Sequence, residues 1–376
     1  MTRGSCGSFE AFFMKSFQIF LAILLSVTAA ARAVELKTQN VFLIVSDGLR
    51  WQEVFSGAEE GLMNKENGVE NAPALRKKFW RDTPEERRTA LLPFIWSQGA
   101  AHGQLFGNQN KGSLDTVTNG KKFSYPGYNE IITGAPDPRV SSNDKIPNPN
   151  TNVFEWLNVR PKFAGRVAVF GTWDCFPSIF NIERSHLPIW PTWGTSGSDH
   201  EITPPAYVTE MVQDTTVFWH ELMLDSFLFH ASRDYLQKQK PRVMFVGFGE
   251  TDEWAHLGRY DQYLNAAHHV DDFIRRLWET AQSLPQYRNK TTFIITADHG
   301  RGTGGNWRNH GEDVAGAEGD WLVVIGPDTP PLGERTNCAA INESQIAATL
   351  AKFLGEDFNE FSLRAGQPIL AVISTE

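Results

Sequence analysis

Cysteine is scarce in this chain, with three among 376 residues and no C-x-x-C pair. That excludes a thiolate zinc site and the dense disulfide framework of small secreted domains. Cys6 lies near the N-terminus, and Cys175 and Cys338 could equally be bridged or remain two thiols. Basic residues are also in deficit: 35 Lys and Arg stand against 44 Asp and Glu, a net charge of −9. With no basic stripe to offset that field, the chain is a poor nucleic-acid binder. An anionic substrate would need a metal or a local cationic cluster to hold it. Long apolar runs are missing too. The one notable run, residues 17–27, is shorter than the roughly 20 residues of a membrane span. Lys15 precedes it and Ala31-Arg32-Ala33 follows, the layout of a signal peptide cut after Ala33. Residues 1–33 are therefore read as a leader, with Met14 a more compact start than Met1, and the product as exported, periplasmic or secreted. Residues 34–376 suffice for a single large domain with insertions.

What the chain does have is a repeated strand signature. Val41-Phe42-Leu43-Ile44-Val45 is a continuous apolar run ending in Asp47-Gly48. Such a run reads as a strand buried on both faces of a parallel sheet. Asp-Gly is also ordinary turn chemistry, so the weight comes from recurrence. Val243-Met244-Phe245-Val246 runs into Glu250-Thr251-Asp252, and Thr292-Phe293-Ile294-Ile295 into Asp298-His299-Gly300. Three strands thus deliver carboxylates to one expected sheet edge, where open α/β sheets place ligands.

Between these strands the pattern predicts helices starting at Trp51, running from Pro84 toward Gln98, and covering 151–159, 217–236, 261–283 and 342–354. Further strands are expected over 102–106, 166–170, 321–326 and 369–373. The fold class is α/β, a mostly parallel central sheet with helices on both faces. Residues 57–100, rich in alternating charge, and 185–225, with Trp190 and Trp193 in a Pro-rich stretch, read as insertions. They are the expected lid and the expected source of specificity. Residues 135–152 read as a loop. In Phe123-Ser124-Tyr125-Pro126-Gly127 a turn leads into a helix, with Pro126 in its first turn and Ser124 near its N-cap. Ser124 there either caps the helix or presents a hydroxyl where the helix dipole favours an anion.

Asp252 and His256 are four apart, so a helix would put both on one face. Asp298 and His299 are adjacent at a strand end, and His310 sits in a glycine-rich loop. With Asp47 they make three carboxylates and three imidazoles, two sets of three ligands suited to zinc sites that keep a position open.

The ordered segments VSDGLRW, FSYPGYNEIITG, GETDEWAH, TADHGRG and NHGE resemble the alkaline phosphatase superfamily, in particular its type I phosphodiesterase/nucleotide pyrophosphatase branch. The resemblance implies an alkaline-phosphatase-like fold and two Zn²⁺ per chain. Asp252, His256 and His310 would hold one zinc. Asp47, Asp298 and His299 would hold the other, with Ser124 as its fourth ligand and as the nucleophile that forms a phosphoseryl intermediate. Asn143 is the implied contact to a phosphoryl oxygen. The implied substrate is a small phosphate ester, a diester first, with a monoester or a phosphonate as alternatives that the same six ligands would serve. A monoester would ask for extra cations, for which Arg50, Arg139, Arg160 and Lys162 are candidates. A sulfatase would require Arg at the position of Tyr128, and calcium would favour oxygen ligands over His299 and His310. A non-catalytic metal-binding protein would be expected to have lost a ligand or the nucleophile, and none is missing.

Overall fold

The computed structural model describes Met1 and Thr2, residues 36–193 and residues 199–374. The leader read over 1–33 falls almost wholly outside them. Leu36–Ser374 forms one compact unit. Its described residues form nine strands, β1 (Asn40–Ser46), β2 (Gly103–Phe106), β3 (Asp115–Thr116), β4 (Val167–Gly171), β5 (Val243–Phe248), β6 (Thr291–Thr296), β7 (Leu322–Ile325), β8 (Gly333–Glu334) and β9 (Ile341–Asn342). Seven of them form a sheet in the order β4-β5-β1-β6-β7-β2-β8, and β3 pairs with β9 separately. Strands β4, β5, β1 and β6 run parallel. Strand β7 is antiparallel to both β6 and β2.

The apolar run of β1 is buried because it lies between β5 and β6 and is covered on both faces. Phe42 and Ile44 pack on one side with Phe273 and Ile274 of the helix Tyr260–Ser283 and Phe229 of the helix Asp225–Lys238. Val41, Leu43 and Val45 pack on the other with Ile131 of the helix Ser124–Thr133 and Leu350 of the helix Ile346–Phe353. Val45 of β1 is level with Gly247 of β5 and Thr296 of β6. The three carboxylate-bearing segments therefore leave the sheet side by side.

Several elements differ from their sequence pattern. The helix from Pro84 stops at Leu91, just before Pro93, and a π-turn over Ile95–Gly99 follows. The helix expected over 217–236 is Asp225–Lys238. Residues 215–224 are held instead by tertiary bonds: Met223 N–H donates to Thr172 O, and Trp193 Nε1–H to the carbonyls of Trp219 and Leu222. A helix at Ala206–Asp214 was not anticipated. The expected last strand over 369–373 is a 3₁₀ turn, Leu370–Val372. The sheet edge beside β2 is taken by β8. Cys175 and Cys338 are both free thiols. Trp190 is buried and lies 6.2 Å from the Phe170 ring, which makes it part of the core. Among the described residues, no helix is long and apolar enough to cross a membrane.

Candidate metal centre

Every ligand candidate except His310 follows the end of a strand. Asp47 follows β1, and its N–H donates to Phe248 O at the end of β5. Asp252 and His256 sit one turn apart on the helix Glu250–His256, and His256 Nε2 lies 2.9 Å from Asp252 Oδ2. Asp298 and His299 follow β6. The glycine-rich loop returns His310, whose Nε2 is 2.9 Å from His256 Nε2. The His299 and His310 rings stack at 4.1 Å. His299 Nε2 lies 3.4 Å from Asp47, 3.6 Å from Asp298 and 3.8 Å from Asp252.

Two ligand groups converge to metal-binding distances, Asp47/Asp298/His299 and Asp252/His299/His310. The first matches one set read from the sequence. In the second, His299 stands at the junction, while His256 is tied to Asp252 and His310 by its two 2.9 Å contacts.

The donor chemistry fits a divalent metal. His310 Nδ1 faces Lys122 O at 3.2 Å and His299 Nδ1 faces Gly300 O at 2.9 Å. Nδ1–H donation to a carbonyl leaves Nε2 with its lone pair for a metal. Burial and the neighbouring His299 push His310 far below the usual imidazole range. Burial likewise lowers His256. For His299 burial works against the charge, but Asp298 and Asp47 outweigh it and raise its pKa to about 9. Burial and the Asp47 charge drive Asp298 well above the carboxylate range, and its Oδ2 has no hydrogen-bond partner. Crowded carboxylates with an unpartnered buried oxygen are the arrangement that a cation relieves.

Ser124 is buried in the first turn of its helix and makes no side-chain cap. Its Oγ lies 3.4 Å from His299 Nε2 and 3.5 Å from Asp47 Oδ1. The helix can approach this closely because residue 127 is glycine. A Cβ there would stand 2.1 Å from Asp298 O. Asn143 Oδ1 accepts the Tyr125 N–H at 3.0 Å, and Asn143 lines the same cleft as Ser124. That cleft, about 450 Å³, is also lined by Asp47, Asp252, His256 and His310, together with Asp144, Lys145, Trp173, Glu221 and Glu253.

Three contributors escaped the sequence reading. Tyr128 O–H donates to Asp47 Oδ2 at 3.0 Å. Its signal was the i, i+4 spacing from Ser124. Gly48 N–H donates to Asp298 Oδ1 at 3.0 Å. Arg301, fully buried, donates to Asp252 Oδ1 and to the carbonyls of Asp252, Gly48 and Arg308. Its position directly after Asp298-His299-Gly300 was the available clue. Of the two insertions, 185–225 supplies Glu221 and Leu222 to the cleft, whereas no residue of 57–100 lines it.

Strand order and site together define an α/β fold with a carboxylate–imidazole cluster at the carboxyl edge of a mostly parallel sheet. Residues 175–334 match the family model of type I phosphodiesterases/nucleotide pyrophosphatases. No curated protein matches the chain. Among solved structures, the phosphonate monoester hydrolase SpPMH of Silicibacter pomeroyi is 13% identical. It covers 88% of this chain and 76% of its own, with a TM-score of 0.53. The lipoteichoic acid synthase LtaP of Listeria monocytogenes is 10% identical, covering 86% and 74% with a TM-score of 0.52. A 2-O GAG sulfatase is 12% identical, covering 88% and 73% with a TM-score of 0.51. The chain has the alkaline-phosphatase-like fold.

Proposed function

We propose that the chain is an exported two-zinc phosphodiesterase acting on small phosphate esters through Ser124. The observation that carries this reading is the Ser124 hydroxyl held within 3.5 Å of both Asp47 and His299, at a helix N-terminus inside the carboxylate–imidazole cluster. Asp47, Asp298, His299 and Ser124 would hold one zinc, and Asp252, His256 and His310 the other. Bound there, the metals supply Lewis acidity and lower the pKa of an oxygen nucleophile. Ser124 Oγ attacks phosphorus in line. The Oγ–P bond forms, the bond to the ester oxygen breaks, and water then cleaves the phosphoserine. The helix N-terminus favours the phosphoryl charge. The Asn143 amide, whose oxygen is fixed by Tyr125 N–H, offers its NH₂ to a phosphoryl oxygen.

The cleft's charge supports a diester over a monoester. Of the four cations weighed for a monoester, none lines it. Arg50 is buried on Glu53 and Glu59, Arg139 is on Asp137, and Arg160 and Lys162 are on Glu356. The one basic residue in the lining, Lys145, pairs with Asp174 at 2.6 Å. A phosphonate monoester carries the same single charge as a diester, and the likeness to SpPMH makes it the second reading. Initial rates on matched aryl diester, phosphonate, monoester and sulfate test the proposal. The diester or phosphonate should lead, with the rate abolished by chelator. A leading monoester would overturn the charge argument, and a leading sulfate, singly charged like a diester, would overturn the phosphate-ester reading.

A further inference from the structure

Arg301 hydrogen-bonds a carboxylate of one half of the metal centre, Asp252. Its guanidinium meets Asp252 and three backbone carbonyls, and its sole carboxylate partner among the described residues is Asp252. The other fully buried arginine, Arg50, is committed to Glu53 and Glu59. The space Arg301 fills is reserved for it. Gly48 has φ +60°, and a Cβ there would stand 2.6 Å from Asp252 Oδ1 and 2.8 Å from Arg301 Nε. The same glycine serves both halves, its N–H on Asp298 and its carbonyl accepting from Arg301.

The two halves therefore differ in charge and in access to water. Asp47, Asp298 and His299 bring two carboxylates, all buried, with Tyr128 and Gly48 donating to them. Asp252, His256 and His310 bring one carboxylate, offset by Arg301. The His256 side chain is 46% exposed. A dication is held by uncompensated charge in a low-dielectric setting, and more weakly where a fixed cation sits beside its ligand. Asp252 Oδ1 accepts from Arg301 and also faces His299 and His310 at 3.8 Å, so an ion bound there would share that oxygen with the guanidinium.

Resting on the two-metal reading above, we infer that Arg301 is a positioning residue that makes the Asp252/His256/His310 half a labile metal site. The Asp47/Asp298/His299 half is the tight one. Free metal then sets how much of the protein carries both ions, and mild chelation leaves a one-metal form.

The test is a Zn²⁺ titration of the metal-stripped full chain against a chromophoric chelator. The wild type should bind two equivalents in separate steps, the second weaker by about tenfold or more, the range in which groups beside metal ligands act. His256→Ala should abolish the weaker step alone. Arg301→Lys keeps the charge and should keep the separation. Arg301→Gln should tighten the second step by about tenfold or more and leave the first unmoved. A purely structural role would weaken or spare the second step instead. Two equal steps in the wild type, or a second step unmoved or weakened in Arg301→Gln, overturn the inference and leave the two-metal reading standing. If Arg301→Gln does not fold, the wild-type, Arg301→Lys and His256→Ala titrations decide it. A chain that binds no zinc overturns the two-metal reading and this inference with it.

Discussion

Two groups of buried carboxylates lie in this fold, and their difference shows what turns acids into a reacting centre. Asp47, Asp252 and Asp298 share their space with three imidazoles, a hydroxyl and a guanidinium, and two of them line a cleft. Asp115, Glu130, Asp320 and Glu343 are as deeply buried, yet none lines the cleft and none makes an ion pair among the described residues. Both oxygens of Asp115 lack a partner, as do Asp320 Oδ2 and Glu343 Oε2. Burial first, and then mutual repulsion, raises Asp115 and Glu343 well above the carboxylate range. Burial lifts Asp320 to about 7. In the second group burial favours the protonated form, whereas the first has the donors to use a metal. Glu130 is the exception within its group. It accepts from the backbone and side chains of Thr118 and Asn119, tying the loop before Ser124 to the helix that carries it.

Substitutions can break or sharpen this contrast. The largest effect is expected in the first group. Ser124→Ala should lower turnover by about 10⁴-fold or more, as loss of a nucleophile does, while zinc content stays at the wild-type level because six ligands remain. Near-normal turnover would remove Ser124 from the reaction. Glu130→Gln should act at intermediate strength. One amide oxygen cannot replace a carboxylate with this many donors, so stability should drop by about 1–3 kcal/mol. Denaturant melts would show it, and turnover should fall with zinc retained. The smallest effect is expected for Asp115→Asn, with zinc content and turnover unchanged. A carboxyl whose folded pKa lies above its unfolded value of about 3.9 binds more protons folded than unfolded, so it costs stability as pH rises past that value. Asp115→Asn should therefore raise the melting temperature more at pH 8 than at pH 5. An equal or opposite shift would mean Asp115 is not held protonated.

The contrast also explains what was legible in the sequence. β1, β5 and β6 announced themselves because each is a continuous apolar run buried on both faces and ending in an acid. Their ligands follow within a few residues, so Asp47, Asp252, His256, Asp298 and His299 could be read locally. The Asp115–Asp320–Glu343 group could not be read, since its members are single acids on separate short segments brought together by tertiary contacts such as the β3–β9 pairing and Asp320 N–H donating to Asp115 O. The start of the helix at Asp225 was equally hidden. Its carboxylate accepts from the N–H groups of Gly249 and Glu250, a tertiary contact with no local periodicity. Arg301 was visible as a letter but not as a partner, because only the fold brings it to Asp252.

The central claim is that the carboxylate–imidazole cluster is a two-metal hydrolytic centre. Its most direct test is to strip the chain of metal, return zinc stepwise, and record bound zinc and the initial rate on an aryl phosphate diester at every step. The account predicts two zinc ions per chain and a rate that appears only as the second is bound. Two bound ions with no hydrolysis of any ester, or a rate indifferent to metal, would contradict it.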